Sequence, residues 1–254
     1  MAGGPILAFD VGGSFVKAGL VDVGRGRLDG EVLRRATPAD AAPEAVMDLL
    51  AAMAQDLPSG GPVGLAFPAV AKRGVAWTAA NIDERWIGTN ARDLLEARLG
   101  RPVAFLNDAD AAGVAEMTLG AGRGRDGTVM VLTLGTGIGT AIFVDGRLLP
   151  NTELGHLEVR GQEAEHRASA RVRAEHGLSW PAWAAAVNEV LAAYHALLWP
   201  DVFIIGGGVT ENWEHFGPLL ASRAQIVPAH FRNDAGMIGA AMAAALLSEG
   251  RAGS

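Results

Sequence analysis

"LTLGTGIGTAIFVDGRLLPNTELGH" (residues 132–156) places Gly135, Gly137 and Gly139 inside what otherwise reads as two apolar strands joined by a turn. Glycine in a strand loses more backbone entropy on folding than any other residue, and it brings no side chain to pack. A chain tolerates that where its backbone must come close to something, and phosphate held by main-chain amides is a common case. No charged residue occurs from Gly127 to Val144. The Gly- and Thr-rich alternation reads as two buried strands rather than a membrane helix.

An earlier stretch, "ILAFDVGGSFVKAGLVDV" (6–23), has the same design: strand, glycine turn, strand. Around these hairpins strands and helices alternate. "EVLRRAT" (31–37), "PVGLAFPA" (62–69), "PVAFLND" (102–108) and "VFIIGGGVT" (202–210) read as strands. "AAPEAVMDLLAAMAQDL" (41–57), "DLLEARLG" (93–100), "ADAAGVAEMTLG" (109–120) and "DAGMIGAAMAAALLSEG" (234–250) read as helices. A long helix begins at Ser179, an N-cap, and carries Trp180, Trp183, Val187, Leu191, Tyr194 and Leu198 along one stripe. The alternation implies an α/β fold, and the repeated hairpin implies two related lobes. We expect a smaller lobe over residues 1–108, a larger one over 109–233, and a closing helix (234–250) that packs back on the first.

Composition narrows the class. Of 254 residues, 50% are hydrophobic and 19% charged, enough for a real core. The net charge of −7 argues against a general nucleic-acid surface. The chain has no cysteine, which excludes disulfides and thiolate metal sites and is compatible with the cytoplasm. The start "MAGGPILAFD" has no basic region and reaches Asp10 too early for a signal peptide, so no secretion or membrane attachment is expected.

Five stretches carry chemistry. "DVGGSFVK" (10–17) sets the Asp10 carboxylate beside a glycine turn, where a phosphate loop would need a cation such as Mg²⁺ between the two; a tight hairpin with Asp10 on the turn amides is the plainer alternative. "LGTGIG" (134–139), with hydroxyls at Thr133 and Thr136, and "GGGVT" (206–210) each follow an apolar strand as well. Each loop alone is weak, a bulge or a turn; three together point to one ligand with several phosphates. In "NDAD" (107–110), Asp108 is either a helix cap or a general base, with Asn107 holding a hydroxyl-bearing substrate. "NTELGH" (151–156) offers Glu153 and His156, with Glu158 and Glu165 further on. Such groups suit capture of sugar hydroxyls. Zinc is the rival, disfavoured without cysteines or a second well-spaced histidine pair.

"DVGGSFVKAGLVD", "FLNDADAAGVAE", "LGTGIGTAIFVDGRLLPNTELGH" and "IIGGGVT", in this order, resemble the ROK (repressor, ORF, kinase) sugar kinases. "TAANIDERWIGTN", "PNTELGHLEVRG", "EHRASARVR", "LSWPAW" and "IVPAHFRNDAGMIGAAM" look like the polyphosphate glucokinase and glucomannokinase branch. The resemblance implies an actin-like ATPase (ribonuclease H-like) fold of two lobes with a cleft between them, and a homodimer. It implies transfer of a phosphoryl group from polyphosphate, ATP or both to the 6-hydroxyl of glucose, or of mannose, in the cytoplasm. Asp108 becomes the general base; Asn81, Asn107, Asp108, Glu153, His156 and Glu165 the sugar positions, with Glu158 a rival to Glu165. Gly12, Gly13, Ser14, Lys17, Thr136, Gly137, Gly207 and Gly208 become the phosphate positions, and Asp10 a Mg²⁺ position through water. The cysteine-rich zinc motif that most of the family carries after the histidine is lacking, so no structural zinc is expected. No helix-turn-helix precedes Ile6, which sets aside the repressor subfamily. A strictly ATP-dependent glucokinase and a non-catalytic sugar sensor are the alternatives. The stretch "ENWEHF" (211–216) is acidic where the branch commonly has Lys or Arg. The cations offered to a polyanion are Lys17, Arg73, Arg85, Arg160, Arg167, Arg171, Arg173, Arg223 and Arg232.

Overall fold

The structure is a computed structural model that describes residues 4–79 and 82–252. It divides into two compact units, Met1–Ala115 with Asp234–Ser254, and Glu116–Asn233.

In the first unit β1 (Ile6–Val11) and β2 (Phe15–Asp22) form an antiparallel hairpin, with β3 (Arg27–Leu28) and β4 (Leu33–Ala36) both pairing with β2. Helix α1 (Pro43–Asp56) starts on a proline, whose missing N–H is harmless in a first turn. It returns the chain to β5 (Val63–Phe67), parallel to β1 and buried at every residue. That continuous apolar run is what a strand covered on both faces requires. A short pair, β6 (Ala71–Lys72) and β7 (Val75–Ala76), leads to α2 (Ala91–Leu99), which Gly100 ends in the left-handed region at φ 63°. Strand β8 (Val103–Asn107) then pairs parallel with β5 and runs straight into α3 (Asp108–Leu119).

The second unit repeats this plan. Strands β9 (Thr128–Leu134) and β10 (Ile138–Val144) make the hairpin, and β11 (Arg147–Thr152) adds to its outer edge. The chain continues through β12 (Glu158–Val159), β13 (Gln162–Glu163), α4 (Ala164–Ala168), α5 (Ala170–Glu175) and α6 (Trp180–Leu198). Strand β14 (Val202–Gly206) is parallel to β9, and beyond α7 (Trp213–Phe216) β15 (Gln225–Pro228) is parallel to β14. The order β3-β2-β1-β5-β8 matches β11-β10-β9-β14-β15, and the first sheet carries β4 on β2 in addition. Ser179 caps α6 through its hydroxyl, and Trp183, Val187, Leu191 and Tyr194 are buried along its stripe, as the spacing predicts.

Helix α8 (Ala235–Ala252) belongs to the first unit and lies against β1, β5 and β8. Its approach depends on glycine. A Cβ on Gly239 would strike the Ala111 carbonyl, and one on Gly64 of β5 would strike the Ala240 backbone. Because Ala111 is held this way, the first turns of α3 belong to the first unit. The division therefore falls within α3, after Ala115, rather than after Asp108. Replacing Gly239 by Val should lower unfolding stability by about 1–3 kcal/mol or more, since backbone on both sides must yield. Urea unfolding of the variant beside the parent measures it; an unchanged midpoint would mean that α8 does not pack on α3.

Candidate active site

In the first unit β1 and β2 set Asp10 opposite Lys17, and their side chains pair at 3.0 Å. Gly236, in the first turn of α8, leaves room for the Asp10 carboxylate, which a Cβ there would touch at 3.2 Å. Two residues before Gly236 stands Asp234, which the sequence reading missed. Burial raises its pKa; Lys17 opposes the shift and Asp10 adds to it. Two carboxylates around one lysine form a set of hard oxygen donors that suits Mg²⁺, which takes one or two carboxylates and leaves its other positions to phosphate and water. The hairpin tip itself is partly closed. Gly12 N–H donates to Phe15 O at 2.9 Å, and its carbonyl accepts from Thr37 Oγ1 at 2.6 Å. Gly12 therefore shapes the turn, while Gly13 and Ser14 are exposed at its tip.

At the end of β8, Asn107 is 7% exposed and caps α3. Its Oδ1 accepts from the Ala109 and Asp110 amides at 2.9 and 3.0 Å, and its Nδ2 donates to Ala69 O at 3.1 Å. Asp108 is half-buried at the helix start, its Oδ1 accepting from the Ala109 amide at 2.8 Å. The positive end of α3 favours the charged carboxylate there. Asn81 lies outside the described residues.

In the second unit the bend after β11 is tied down by Thr140 and Thr152, each hydroxyl donating to the other's carbonyl, and by Tyr194, whose hydroxyl donates to Leu154 O at 2.7 Å. This fixes the Glu153–His156 turn. His156 Nδ1 lies 3.2 Å from Glu163 Oε2, and its Nε2 3.8 Å from Glu153 Oε2. Burial would lower the pKa of His156, but the hydrogen bond to Glu163 and the charges of Glu165, Glu163 and Glu153 outweigh it, so the net shift is upward. Burial raises Glu153, with His156 opposing and Glu165 adding. Glu165 is the carboxylate that joins this group. Glu158 is exposed and contributes to neither shift. Ligand atoms of His156, Glu163 and Glu165 lie within 4.8 Å of one another, a spacing within reach of a metal ion.

The glycines of the opening stretch find their reason here. A Cβ on Gly137 would collide with the Glu165 carboxylate, and one on Gly155 with the Ile138 carbonyl. The glycine loop thus lies directly against the carboxylate cluster. Gly135 N–H is taken by Gly137 O at 3.0 Å, and Gly135 O accepts from the Arg171 amide at 3.1 Å, which anchors α5 beside the loop; Thr136 is exposed at its tip. The third loop passes under the second: Gly207 sits at φ 89°, and a Cβ there would strike the Leu134 backbone. Gly208 packs next to Asn233. Beside it a cavity of about 370 Å³ is lined by Gly120, Ala121, Thr210, Trp213, His230 and Arg232 among others. The buried Glu116 carboxylate joins two of its walls by accepting from the Ala121, His230 and Phe231 amides at 2.8–3.0 Å.

A family model described as the ROK family matches residues 6–176. The chain belongs to the ROK family. It is 48% identical over 238 residues to a polyphosphate glucokinase of Mycobacterium tuberculosis (strain CDC 1551 / Oshkosh), a match that covers 93% of this chain and 90% of that one. The crystal structure of an inorganic polyphosphate/ATP-glucomannokinase from Arthrobacter sp. strain KM matches with TM-score 0.92 and 46% identity, over 96% of this chain and 99% of that one. A ROK family glucokinase from Streptomyces griseus, in complex with glucose and AMPPNP, matches with TM-score 0.80 and 27% identity, over 94% and 98%. The actin-like α/β fold expected for a ROK chain is the one found.

The raised His156 pKa has a consequence for stability. Its contribution should be present in full below the ordinary value of 6.5 and should fade as pH rises through the higher folded value. H156N should flatten that part of the urea-midpoint profile between about pH 6 and 8. A parent midpoint that climbs with pH through this window, relative to H156N, would contradict the sign.

Proposed function

We infer that this chain transfers a phosphoryl group from polyphosphate or ATP to the 6-hydroxyl of glucose, with mannose as a second acceptor. The observation that carries it is the packing of the Gly135–Gly137 loop against the Glu165 carboxylate, which puts phosphate-type and sugar-type groups side by side in one unit. The close likeness to polyphosphate and glucose kinases supports the same reaction.

Asp108 takes the proton of the 6-hydroxyl as that oxygen attacks the terminal phosphorus in line. Asn107 offers its remaining amide hydrogen to a sugar hydroxyl, while its other polar contacts keep Asp108 at the start of α3. Glu153 and Glu165 accept from further hydroxyls, and His156 adds a ring nitrogen. Fixing the acceptor in this way lowers the entropic part of the barrier. Gly13, Ser14, Thr136, Gly137, Gly207 and Gly208 supply amides and hydroxyls to the donor, with Lys17 as a cation. Asp10, with Asp234, would hold Mg²⁺, which offsets charge on the transferring group when bound. We place no structural zinc in the chain. The 370 Å³ cavity is large enough for part of a small-molecule donor such as a nucleoside, which supports ATP beside polyphosphate. A homodimer in the cytoplasm completes the reading; among the described residues no helix is long and apolar enough to cross a membrane.

D108N should keep glucose binding but lose ~10²-fold or more in kcat, because the amide cannot accept the proton. Near-parent turnover by a folded D108N enzyme, in a coupled glucose 6-phosphate assay, would remove the base assignment.

Several of the cations offered to a polyanion are already engaged. Arg160 and Arg167 share Glu189, Arg85 pairs with Asp83 and Asp40, and Arg173 stacks on Trp180 at 3.4 Å. Arg171 makes no ion pair among the described residues, and its backbone is tied to the Gly135 loop. R171A should therefore weaken polyphosphate use more than R167A does, roughly tenfold in kcat/KM at low salt, with the gap narrowing as salt screens the contact. Equal effects of the two variants at all salt concentrations would discard this track.

A further inference from the structure

We propose that Glu163 is a positioning residue for the acceptor: it holds His156 with Nδ1–H turned to its own carboxylate, so that Nε2 is presented as a hydrogen-bond acceptor on the Glu153 side. This rests on the sugar reading of His156.

The geometry is built in from the turn outward. Strands β12 and β13 are joined by Arg160 and Gly161, both in the left-handed region at φ 53° and 82°. Two positive φ values in a two-residue loop are those of a type I′ turn, whose twist matches the strands it joins. The hairpin is closed at its base by the Ala164 amide donating to Leu157 O at 2.9 Å. Its effect is to reverse the chain within a few residues and bring Glu163 beside the His156 ring. The contact to Nδ1 is 3.2 Å, shorter than the 3.8 Å between Nε2 and Glu153. His166 Nδ1 stands 3.6 Å from the same Glu163 oxygen, and His166 Nε2 3.7 Å from Glu165.

Chemistry gives the pairing its use. A neutral imidazole has one donor and one acceptor nitrogen, and the partner of one decides the role of the other. A carboxylate only accepts, so a neutral His156 facing Glu163 carries its proton on Nδ1 and leaves the Nε2 lone pair for a hydroxyl. Glu153 and Glu165 also only accept. A sugar hydroxyl that donates to Nε2 keeps its own lone pairs for a donor elsewhere. Glu163 thereby sets which hydroxyl pattern the site takes, without touching the sugar.

Two measurements on the full-length protein test this. In ¹⁵N-labelled protein at about pH 9, where the ring is neutral, the His156 resonances, identified by their loss in H156N, should show the Nδ1–H tautomer. An Nε2–H tautomer would overturn the proposal whatever His156 binds. In kinetics E163L should raise the glucose KM about tenfold, the scale of one hydrogen bond, with the ATP KM unchanged. E163Q retains an acceptor oxygen and should stay within about threefold of the parent. An unchanged glucose KM in folded E163L would overturn the proposal, as would E163Q and E163L behaving alike. If E163L does not fold, the tautomer in the parent and the KM of E163Q decide. H156A with an unchanged glucose KM would remove the sugar reading, and with it the role of Glu163 toward the acceptor, even if the Nδ1–H tautomer stood.

Discussion

A carboxylate oxygen of Glu165 occupies the space that any side chain at position 137 would need. Much of the second unit follows from that one approach. With glycine at 137 the Glu165 carboxylate, brought in by α4, lies directly on the loop; a side chain there would push that carboxylate aside. Gly155 repeats the constraint against Ile138 O, drawing the Glu153–His156 turn onto the same strand. Burial raises the pKa values of Glu153 and Tyr194 here, and the nearby Glu165 charge adds to both shifts. Natural proteins retain such arrangements where the groups must act on something.

The first unit meets the corresponding problem differently. There Thr37 holds the Gly12 carbonyl, and Lys17 faces Asp10 across the hairpin. The acidic group that completes this end, Asp234, comes from the far end of the chain. It is placed there because the small residues of α8 let that helix lie close on β5 and α3. A small-residue helix here is a device for close approach, at the expense of the larger apolar area that bulkier side chains would bury.

Much of this was legible in the sequence. Both glycine hairpins, the strand–helix alternation and the α6 stripe follow from local periodicity, which is set by short-range geometry. Glu153 and His156 were legible because they sit three apart in one turn. What escaped was non-local or too short to show a period. Asp234 gains its meaning only against Asp10, and Glu163 only against His156. Strands β12 and β13 have two residues each. One signal was present: Arg160-Gly161 between short polar segments is a turn pair, and a turn there brings residues 158 and 163 into register. Asn107 stood out in the sequence at the end of a buried strand, yet its capping of α3, which fixes Asp108, needed the helix start to be seen.

The charge balance shows why a sequence count of cations misleads about a polyanion. With a net charge of −7 the chain as a whole repels a long phosphate polymer, so attraction must come from a few local arginines. Counting candidates treats each as equal. In the fold, Glu189 draws both Arg160 and Arg167, so both guanidinium groups are already engaged by one carboxylate of α6. Arg173 is spent on covering Trp180. Arg171 differs from them because its peptide N–H, held by Gly135 O, fixes where its side chain starts, while among the described residues no acidic partner holds where it ends. A cation anchored at its root beside a glycine loop can follow a phosphate chain of varying length more readily than one held at its tip. That property, rather than the number of arginines, is what a polymeric donor demands of this end of the molecule.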